Sequence, residues 1–301
     1  MKLFTYIDER GEENVGILIN ENKFVSIIDL VREFESIFPM LRNRTSLTVV
    51  ELMKLGENFL KKVEKVIEEI TKERLAKLSK VTSDYKIIAP IPRPPMIYAL
   101  ARNYRAHAEE VNLSVPSEPA IFIKSPTSVI GPNEDIIIPK FLKRVDYEAE
   151  LAVVIGKRGK NIPRDKAMDF VFGYTCFNDV TARDVQLKCI KEDLPWDLAK
   201  SADTFGPMGP YIVTKDQVTN PHNLRIELRV NGITKQLSNT KYMIFKIPEI
   251  IEYISKFVTL EPGTIITTGT PEGIGELKPG DLVEVEIGGI GILRNRAIMS
   301  H

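Results

Sequence analysis

The chain has 301 residues, of which 43% are hydrophobic and 27% charged, and its 41 basic and 41 acidic residues cancel to a net charge of zero. This composition is typical of a soluble globular protein with one large domain or two unequal ones, and without a basic surplus we expect no nucleic-acid partner. No apolar run of 18 residues and no signal-peptide pattern occurs, so no membrane partner is expected. Only two cysteines, Cys176 and Cys189, are present, which is typical of a cytoplasmic protein without disulfides.

The first 85 residues predict a small α/β domain. Short strands are expected over residues 2–7, 15–19 and 24–28, where β-branched and aromatic residues stand between turn residues. Residues 47–78 change to helical spacing, with apolar side chains on one face and charged ones elsewhere.

A proline-rich stretch follows this segment. Residues 89–95 hold four prolines within six positions, which excludes a helix or a central strand. We therefore predict a domain boundary here, with a small domain over residues 1–85 and a larger one over residues 86–301.

The larger domain is predicted to be mainly β with short helices, an α+β class. Strands are expected over residues 96–100, 120–124, 145–155, 172–179, 211–213, 224–230, 264–268, 282–287 and 292–296. Strands and helices do not alternate regularly, so a Rossmann fold is not expected. Residues 196–210 are expected to form a loop.

Local signals mark a hairpin and two helices in this domain. Asn231-Gly232 is a strong signal for a tight hairpin turn. Asn161 is expected to cap a short helix, and Pro248 to open another. The apolar side of this last helix is expected to carry Ile250, Ile251, Ile254 and Phe257.

The strand over residues 145–155 carries three acidic residues at alternating positions. Because side chains alternate along a strand, Asp146, Glu148 and Glu150 are expected to share one face. This face turns apolar further along, and unpaired carboxylates beside an apolar surface are costly unless a cation neutralises them. A solvated charged face is the alternative interpretation of the same pattern.

Other candidates for chemistry are scattered along the larger domain. Asn103 is a plausible N-cap of a helix on which His107 and Glu110 share a face, although an incidental surface pair would look the same. Asp179 ends a predicted strand, where functional side chains tend to lie.

The donor types restrict which metal such a site would bind. Three histidines and two cysteines, all scattered, cannot easily build a zinc site. Carboxylate ligands favour a hard ion, which means magnesium, manganese or calcium.

Five short motifs in this order resemble the fumarylacetoacetate hydrolase superfamily, in particular its acylpyruvase and 2-hydroxyhepta-2,4-diene-1,7-dioate isomerase-like branch. They are Asn103-Tyr104-x-x-His107-x-x-Glu110, Asp146-Tyr147-Glu148-x-Glu150-Leu151-Ala152, Asn178-Asp179-Val180-Thr181-Ala182-Arg183-Asp184, Lys200-Ser201 with Gly206-Pro207, and Thr268-Gly269-Thr270-Pro271-Glu272-Gly273. The resemblance covers about residues 86–298. It implies a mixed β-roll catalytic domain, a small-molecule 2-oxo acid substrate and a homodimer.

The resemblance also implies roles for individual residues. Glu148, Glu150 and Asp179 would ligate one Mg²⁺ or Mn²⁺, and Lys200 would neutralise charge beside it or exchange protons with an enolate carbon. A plain salt bridge is the alternative for Lys200. His107 would activate a water as general base, oriented by Glu110. Substrate binding would fall to Arg183, Gln186, Thr270 and Lys124, with Arg183 alternatively paired to Asp184.

Several reactions agree with this resemblance, since all pass through an enolate that the metal stabilises. The leading hypothesis is cleavage of a C–C bond, by acylpyruvate hydrolysis or oxaloacetate-type decarboxylation. Alternatives are isomerisation and decarboxylation of 2-hydroxyhepta-2,4-diene-1,7-dioate, sugar-acid dehydration, and a non-catalytic binding protein on the same scaffold. Residues 188–195 depart from the family pattern and are expected to shape the far end of the pocket.

Overall fold

The computed structural model describes residues 1–300, which fold mainly as β-strands with short helices between them. The strands are β1 Lys2–Ile7, β2 Glu13–Asn20, β3 Lys23–Ser26, β4 Ser79–Val81, β5 Lys86–Ile88, β6 Ile97–Ala101, β7 Ala120–Lys124, β8 Val129–Ile130, β9 Ile136–Ile138, β10 Val145–Tyr147, β11 Ala149–Ile155, β12 Val171–Asn178, β13 Thr181–Ala182, β14 Gly206–Thr214, β15 Arg225–Val230, β16 Ile233–Asn239, β17 Ile265–Thr267, β18 Gly275–Glu276, β19 Leu282–Ile287 and β20 Gly291–Met299. The α-helices are α1 Ile27–Glu33, α2 Val49–Lys54, α3 Glu57–Glu69, α4 Lys72–Leu78, α5 Arg105–Glu110, α6 Arg183–Lys191, α7 Asp197–Ser201 and α8 Ile247–Phe257.

The strands form three sheets. The largest has 12 strands, in the order β4-β3-β2-β1-β14-β12-β11-β17-β6-β7, with β5 paired to β1 and β8 paired to β14. A five-stranded sheet has the order β16-β15-β19-β20-β9, and a three-stranded sheet has the order β13-β10-β18. This arrangement confirms the expected α+β class, in which antiparallel pairing dominates and connections stay short.

The N-terminal segment is built into the large sheet. Strand β1 pairs with β14 through Lys2 opposite Val213 and Leu3 opposite Ile212. One hydrophobic core joins Leu3 and other side chains of the segment to Ile212 and Ile265 of the larger part. The predicted division after residue 85 therefore coincides with neither a break in the sheet nor a break in the core, and it stays a prediction.

Several predicted elements differ in their bounds. The third strand ends at Ser26 rather than residue 28, and α1 begins directly after it. The helical region over residues 47–78 is three helices, because Gly56, with a φ of 83°, separates α2 from α3 and Thr71 caps α4.

Other expectations in the larger part were wrong. The predicted loop over residues 196–210 contains α7 and the start of β14. Asn161 does not cap a helix, since its φ is 51° and the following 3₁₀ turn spans Arg164–Phe170. In α8, Ile250, Ile251 and Ile254 are buried as expected, whereas Phe257 is 69% exposed.

The strand predicted over residues 145–155 is interrupted at Glu148. Before it, β10 pairs with β13 and β18, and after it, β11 pairs with β12 and β17. The backbone groups of Glu148 find partners outside a regular ladder: its N–H donates to the Asn178 side chain at 2.9 Å, and its carbonyl accepts from the Asp179 N–H at 2.8 Å. The chain thus passes from one sheet to another at Glu148, and both backbone polar groups of this buried residue keep hydrogen-bond partners.

The predicted hairpin is confirmed. Asn231 and Gly232 both have positive φ, 52° and 77°, as a two-residue turn between β15 and β16 requires. Among residues 1–300, every helix is too short or too polar to cross a membrane.

Candidate metal centre and active-site cleft

Three carboxylates converge at the junction of β11 and β12. The antiparallel register sets Ala149 opposite Asn178, and beyond that pair the Asp179 N–H donates to the Glu148 carbonyl at 2.8 Å. Directly opposed residues share a face, and so do residues two apart on one strand. Glu148, Glu150 and Asp179 therefore face one another, and each offers an oxygen within 4.8 Å of the other two. All three are buried, which excludes the solvated-face interpretation.

Basic side chains surround two of these carboxylates. Lys200 Nζ donates to Glu148 Oε2 and to Asp179 Oδ2, both at 2.7 Å. Arg183 donates to Glu148 Oε1, and Lys124 Nζ lies 2.8 Å from Asp179 Oδ1. Within residues 1–300, Glu150 forms no ion pair and accepts only the Gly269 N–H, at 2.7 Å. The uncompensated negative charge is therefore concentrated on Glu150.

The pKa shifts follow this distribution of charge. Burial, followed by the charges of Asp179 and Glu148, raises the pKa of Glu150 well above its ordinary value. Burial also acts to raise the pKa of Glu148, but Lys200 and Arg183 outweigh it and lower that pKa. Burial acts to lower the pKa of Lys200, but Asp179 and Glu148 outweigh it and raise that pKa.

Asp146 anchors the site rather than joining the carboxylate cluster. It is fully buried and accepts from Arg144 Nε at 2.7 Å and from Arg183 Nε at 2.8 Å. Arg183 also donates to Gln186 Oε1, one turn along α6. Arg183 is thus held between Asp146 and Glu148, not by Asp184, which was the alternative partner.

His107 and Glu110 form the expected pair on α5. His107 Nδ1 lies 3.2 Å from Glu110 Oε2, and Glu110 Oε1 accepts from the Gly273 N–H at 3.0 Å. Asn103 does not cap this helix: its side chain bonds to the backbone of Phe245 and Thr268 instead. The helix is therefore attached through Glu110 to the glycine-rich loop that follows β17.

That loop contains Thr270, and a residue absent from the sequence-based predictions holds it. Gln236 of β16 is fully buried, donates from Nε2 to Thr270 Oγ1 at 2.8 Å and accepts the Ala149 N–H at 2.9 Å. The hairpin turn alone gave no signal for Gln236, because a regular two-residue hairpin would set Lys235 opposite Leu228. A bulge between Leu228 and Arg229 shifts the pairing, so Gln236 lies opposite Leu228 and its amide faces inward with that leucine.

A cleft of about 460 Å³ opens onto the cluster. Of the predicted site residues, six line it: His107, Glu148, Arg183, Gln186, Lys200 and Thr270. Its lining also includes the aromatic side chains Phe122 and Trp196, and Cys189, Ile190, Asp193 and Leu194 of the variable segment. The expectation that residues 188–195 shape the pocket is confirmed.

Lys124 does not line this cleft. It is fully buried behind Asp179, and its amine also donates to the carbonyls of Val180 and Lys200. This placement corrects the expected substrate contact, because the Lys124 side chain is enclosed by protein. It acts on Asp179 instead.

The donor set fits a hard divalent ion. All candidate ligand atoms are carboxylate oxygens, which Mg²⁺ and Mn²⁺ prefer. Two of the three carboxylates have basic partners, but Glu150 is buried without one, and burying an unpaired carboxylate is costly. A cation at Glu150, Glu148 and Asp179 would remove that cost.

Comparison with known proteins shows which family this chain belongs to. Residues 96–298 match the family described as fumarylacetoacetate (FAA) hydrolase, C-terminal. The mitochondrial oxaloacetate tautomerase fahd2 of Xenopus laevis is 44% identical over 255 residues, which is 82% of this chain and 77% of that protein.

Solved structures that resemble this chain over its whole length include two enzymes of known name. Maleylpyruvate hydrolase from Sphingobium sp. SYK-6, in complex with manganese (II) ion and pyruvate, has 27% identity and a TM-score of 0.79, with 100% of both chains covered. The 2-hydroxyhepta-2,4-diene-1,7-dioate isomerase of Mycobacterium marinum has 30% identity and a TM-score of 0.73, with 100% of this chain and 99% of the other covered. The chain belongs to the fumarylacetoacetate hydrolase family.

Proposed function

We propose that this chain is a divalent-metal-dependent enzyme that forms enolates of 2-oxo acids and cleaves a C–C bond, by acylpyruvate hydrolysis or oxaloacetate-type decarboxylation. The observation that carries this proposal is the buried, oxygen-only cluster of Glu148, Glu150 and Asp179 beside a cleft. A related hydrolase structure contains manganese and pyruvate, which is itself a 2-oxo acid, and this supports the proposal.

The cluster would hold Mg²⁺ or Mn²⁺, and such an ion supplies Lewis-acid stabilisation of an enolate oxygen. The chain adds its own positive charge, since Lys200 and Arg183 line the cleft beside Glu148. A substrate carboxylate entering here would meet two cations and the hydroxyl of Thr270. These groups would orient a 2-oxo acid with its charged end inward.

His107 would act as the general base for hydrolysis. Glu110 lies at its Nδ1, which keeps the proton of a neutral imidazole on that atom and leaves Nε2 as the basic atom. His107 also lines the cleft, where Nε2 could take a proton from a water. The apolar side chains that line the cleft, such as Phe122 and Trp196, would accommodate the acyl portion of the substrate.

The direct test uses metal-stripped protein with Mg²⁺ or Mn²⁺ added back. Acetylpyruvate, oxaloacetate and a hydroxy-dienoate diacid are supplied in parallel, and absorbance and pyruvate are followed. Metal-dependent pyruvate release from the first two substrates would support C–C cleavage. Metal binding without turnover of any of the three would rule out this substrate class.

Replacing the base should separate hydrolysis from enolate formation. In His107→Ala, we expect hydrolysis of acetylpyruvate to fall about 10²- to 10⁴-fold, the usual contribution of general-base catalysis. Mn²⁺ affinity should be unchanged, because His107 is not among the carboxylate ligands. Stopped assays of pyruvate and calorimetric titration with Mn²⁺ measure the two effects. Glu109→Ala, on the exposed side of the same helix, is the control, and full hydrolysis in His107→Ala would remove the assignment.

A second candidate is movement of a double bond in a dicarboxylic 2-oxo acid without C–C cleavage. Arg102 favours it: this residue lines the cleft, has a φ of 56° and forms no ion pair within residues 1–300, with only the Ser114 carbonyl as partner at 2.9 Å. A strained residue with a free guanidinium in a cleft is a candidate for binding a carboxylate. Oxaloacetate and 2-hydroxyhepta-2,4-diene-1,7-dioate, named for the relatives, both carry a second carboxylate.

The Arg102→Leu variant tests whether Arg102 binds the second carboxylate that this candidate requires. We expect kcat/KM for oxaloacetate and the hydroxy-dienoate diacid to fall roughly tenfold to a hundredfold, the range for one charged hydrogen bond. Acetylpyruvate, which has no second carboxylate, should be turned over as before. Arg105→Leu, exposed on α5, is the matched control. An equal loss for all three substrates would show that Arg102 does not read the second carboxylate.

A further inference from the structure

We infer that Gln236 is a positioning residue that fixes Thr270 as a hydrogen-bond donor toward an anion in the cleft. This inference rests on the proposed function, because the anion would be the substrate carboxylate or enolate. It goes beyond the proposed function because it identifies the Thr270 hydroxyl as the donor and the buried Gln236 amide as the group that orients it.

The orientation of the Gln236 amide is determined by its neighbours. Its Oε1 receives the Ala149 N–H, which can only donate, at 2.9 Å. Its Nε2 donates to the Pro271 carbonyl, which can only accept, at 2.9 Å, with a longer contact of 3.5 Å to the Glu272 carbonyl. If the amide were flipped, its NH₂ group would face the Ala149 N–H and its oxygen would face the Pro271 carbonyl, and neither pair could form a hydrogen bond. Nε2 must therefore face Thr270.

This orientation decides the role of the Thr270 hydroxyl. Gln236 Nε2 lies 2.8 Å from Thr270 Oγ1 and has only protons to offer, so Oγ1 accepts. Within residues 1–300, the Thr270 hydroxyl proton has no acceptor of its own, and Thr270 lines the cleft. A hydroxyl that accepts on one side and lacks an acceptor for its proton is prepared to donate to an incoming oxygen.

The position of Gln236 also ties this donor to the carboxylate cluster. Ala149, whose N–H it accepts, stands between Glu148 and Glu150 in the chain. The same amide therefore spans the backbone of the cluster and the loop of Thr270. Gln236 is fully buried and does not line the cleft, so its effect on an anion must pass through Thr270.

The experiment is a double-mutant cycle that follows oxalate binding to the Mn²⁺-loaded protein by calorimetry. Gln236→Glu keeps the shape but replaces the donor with an acceptor, so the Thr270 hydroxyl would turn toward the new carboxylate. We expect oxalate affinity to fall about tenfold to a hundredfold, as for loss of one hydrogen bond to a charged group. In a Thr270→Val background the same substitution should change affinity less than about twofold. Gln236→Met, which leaves Thr270 free to rotate, should fall between wild type and Gln236→Glu and serves if the buried acid prevents folding.

The outcomes separate two failures. The positioning role would be overturned if Gln236→Glu lowered oxalate affinity equally in the wild-type and Thr270→Val backgrounds. It would also be overturned if neither Gln236 variant changed oxalate binding. The proposed function would stand in both cases. Wild-type protein that binds Mn²⁺ but no oxalate would overturn the anion-donor role as well. Wild-type protein that binds no Mn²⁺ would overturn the proposed function and, with it, this inference.

Discussion

The Glu150→Gln variant should lose the metal and the reaction while keeping its fold. Its Mn²⁺ affinity should fall by at least about 100-fold. Losing a residue that only supports a ligand costs up to about 100-fold in affinity, and losing a ligand should cost at least as much. Turnover should fall by about 10³-fold, which corresponds to the several kcal/mol of charge stabilisation that a Lewis acid supplies. The amide still accepts the Gly269 N–H that Glu150 accepts, so local geometry is preserved. Calorimetric titration and pyruvate release measure these losses.

The same substitution should not destabilise the metal-free protein. Glu150 is 1% exposed and forms no ion pair in the described chain, so a neutral amide replaces a carboxyl whose charged form burial disfavours. We expect an equal or higher free energy of unfolding in urea, an example of stability sacrificed for function. Glu68→Gln, on the exposed face of α3, is the control for a change of one charge. Undiminished Mn²⁺ affinity in Glu150→Gln would contradict its place among the ligands.

The Lys124→Met variant should be less stable than the wild type but should bind the metal more tightly. Lys124 is fully buried beside Asp179, and removing one partner of a buried ion pair costs about 3–5 kcal/mol. The free energy of unfolding in urea should fall by that amount. Mn²⁺ should nevertheless bind more tightly, because a positive charge that opposes the ion has been removed.

A loss of stability together with a gain in Mn²⁺ affinity distinguishes the expected effect from misfolding. A misfolded variant would lose stability and metal affinity together, and that joint loss would refute the assignment of Lys124 as the charge partner of Asp179. Lys62→Met, on the exposed face of α3, removes one positive charge without a buried partner. It should change neither quantity by more than about 0.5 kcal/mol.

The carboxylate cluster could be predicted because its signal is local. Glu148 and Glu150 are two apart in a β-rich stretch, and Asp179 ends the strand that pairs with it. Alternation along a strand is enough to place the two glutamates on one face. That Asp179 joins them depends on register, which the family resemblance supplied and the residues alone did not.

The interruption at Glu148 could not be predicted in the same way. Residues 145–155 are continuous in their β-forming character, and what divides them is a tertiary contact. Asn178 and Asp179 take the backbone hydrogen bonds of Glu148 that a regular ladder would have used. Non-local partners of this kind override local propensity.

Lys124 and Asn103 failed for a related reason. Lys124, at the end of a predicted strand, was expected to bind substrate, and Asn103 was expected to start a helix. In the folded protein Lys124 contacts Asp179, and Asn103 contacts Phe245 and Thr268, all distant in sequence. Polar side chains that form long-range bonds in the interior give no periodic signal.

The joining of the N-terminal segment to the large sheet has a consequence for how the protein can be shortened. A version lacking residues 1–85 would leave the edge of β14 near Ile212 and Val213 without its partner strand. It would also uncover apolar side chains such as Ile265 that now share a core with the segment. An exposed strand edge above an apolar surface is a template for self-association. Such a version would therefore aggregate as its concentration rises, even with every residue of the cleft intact.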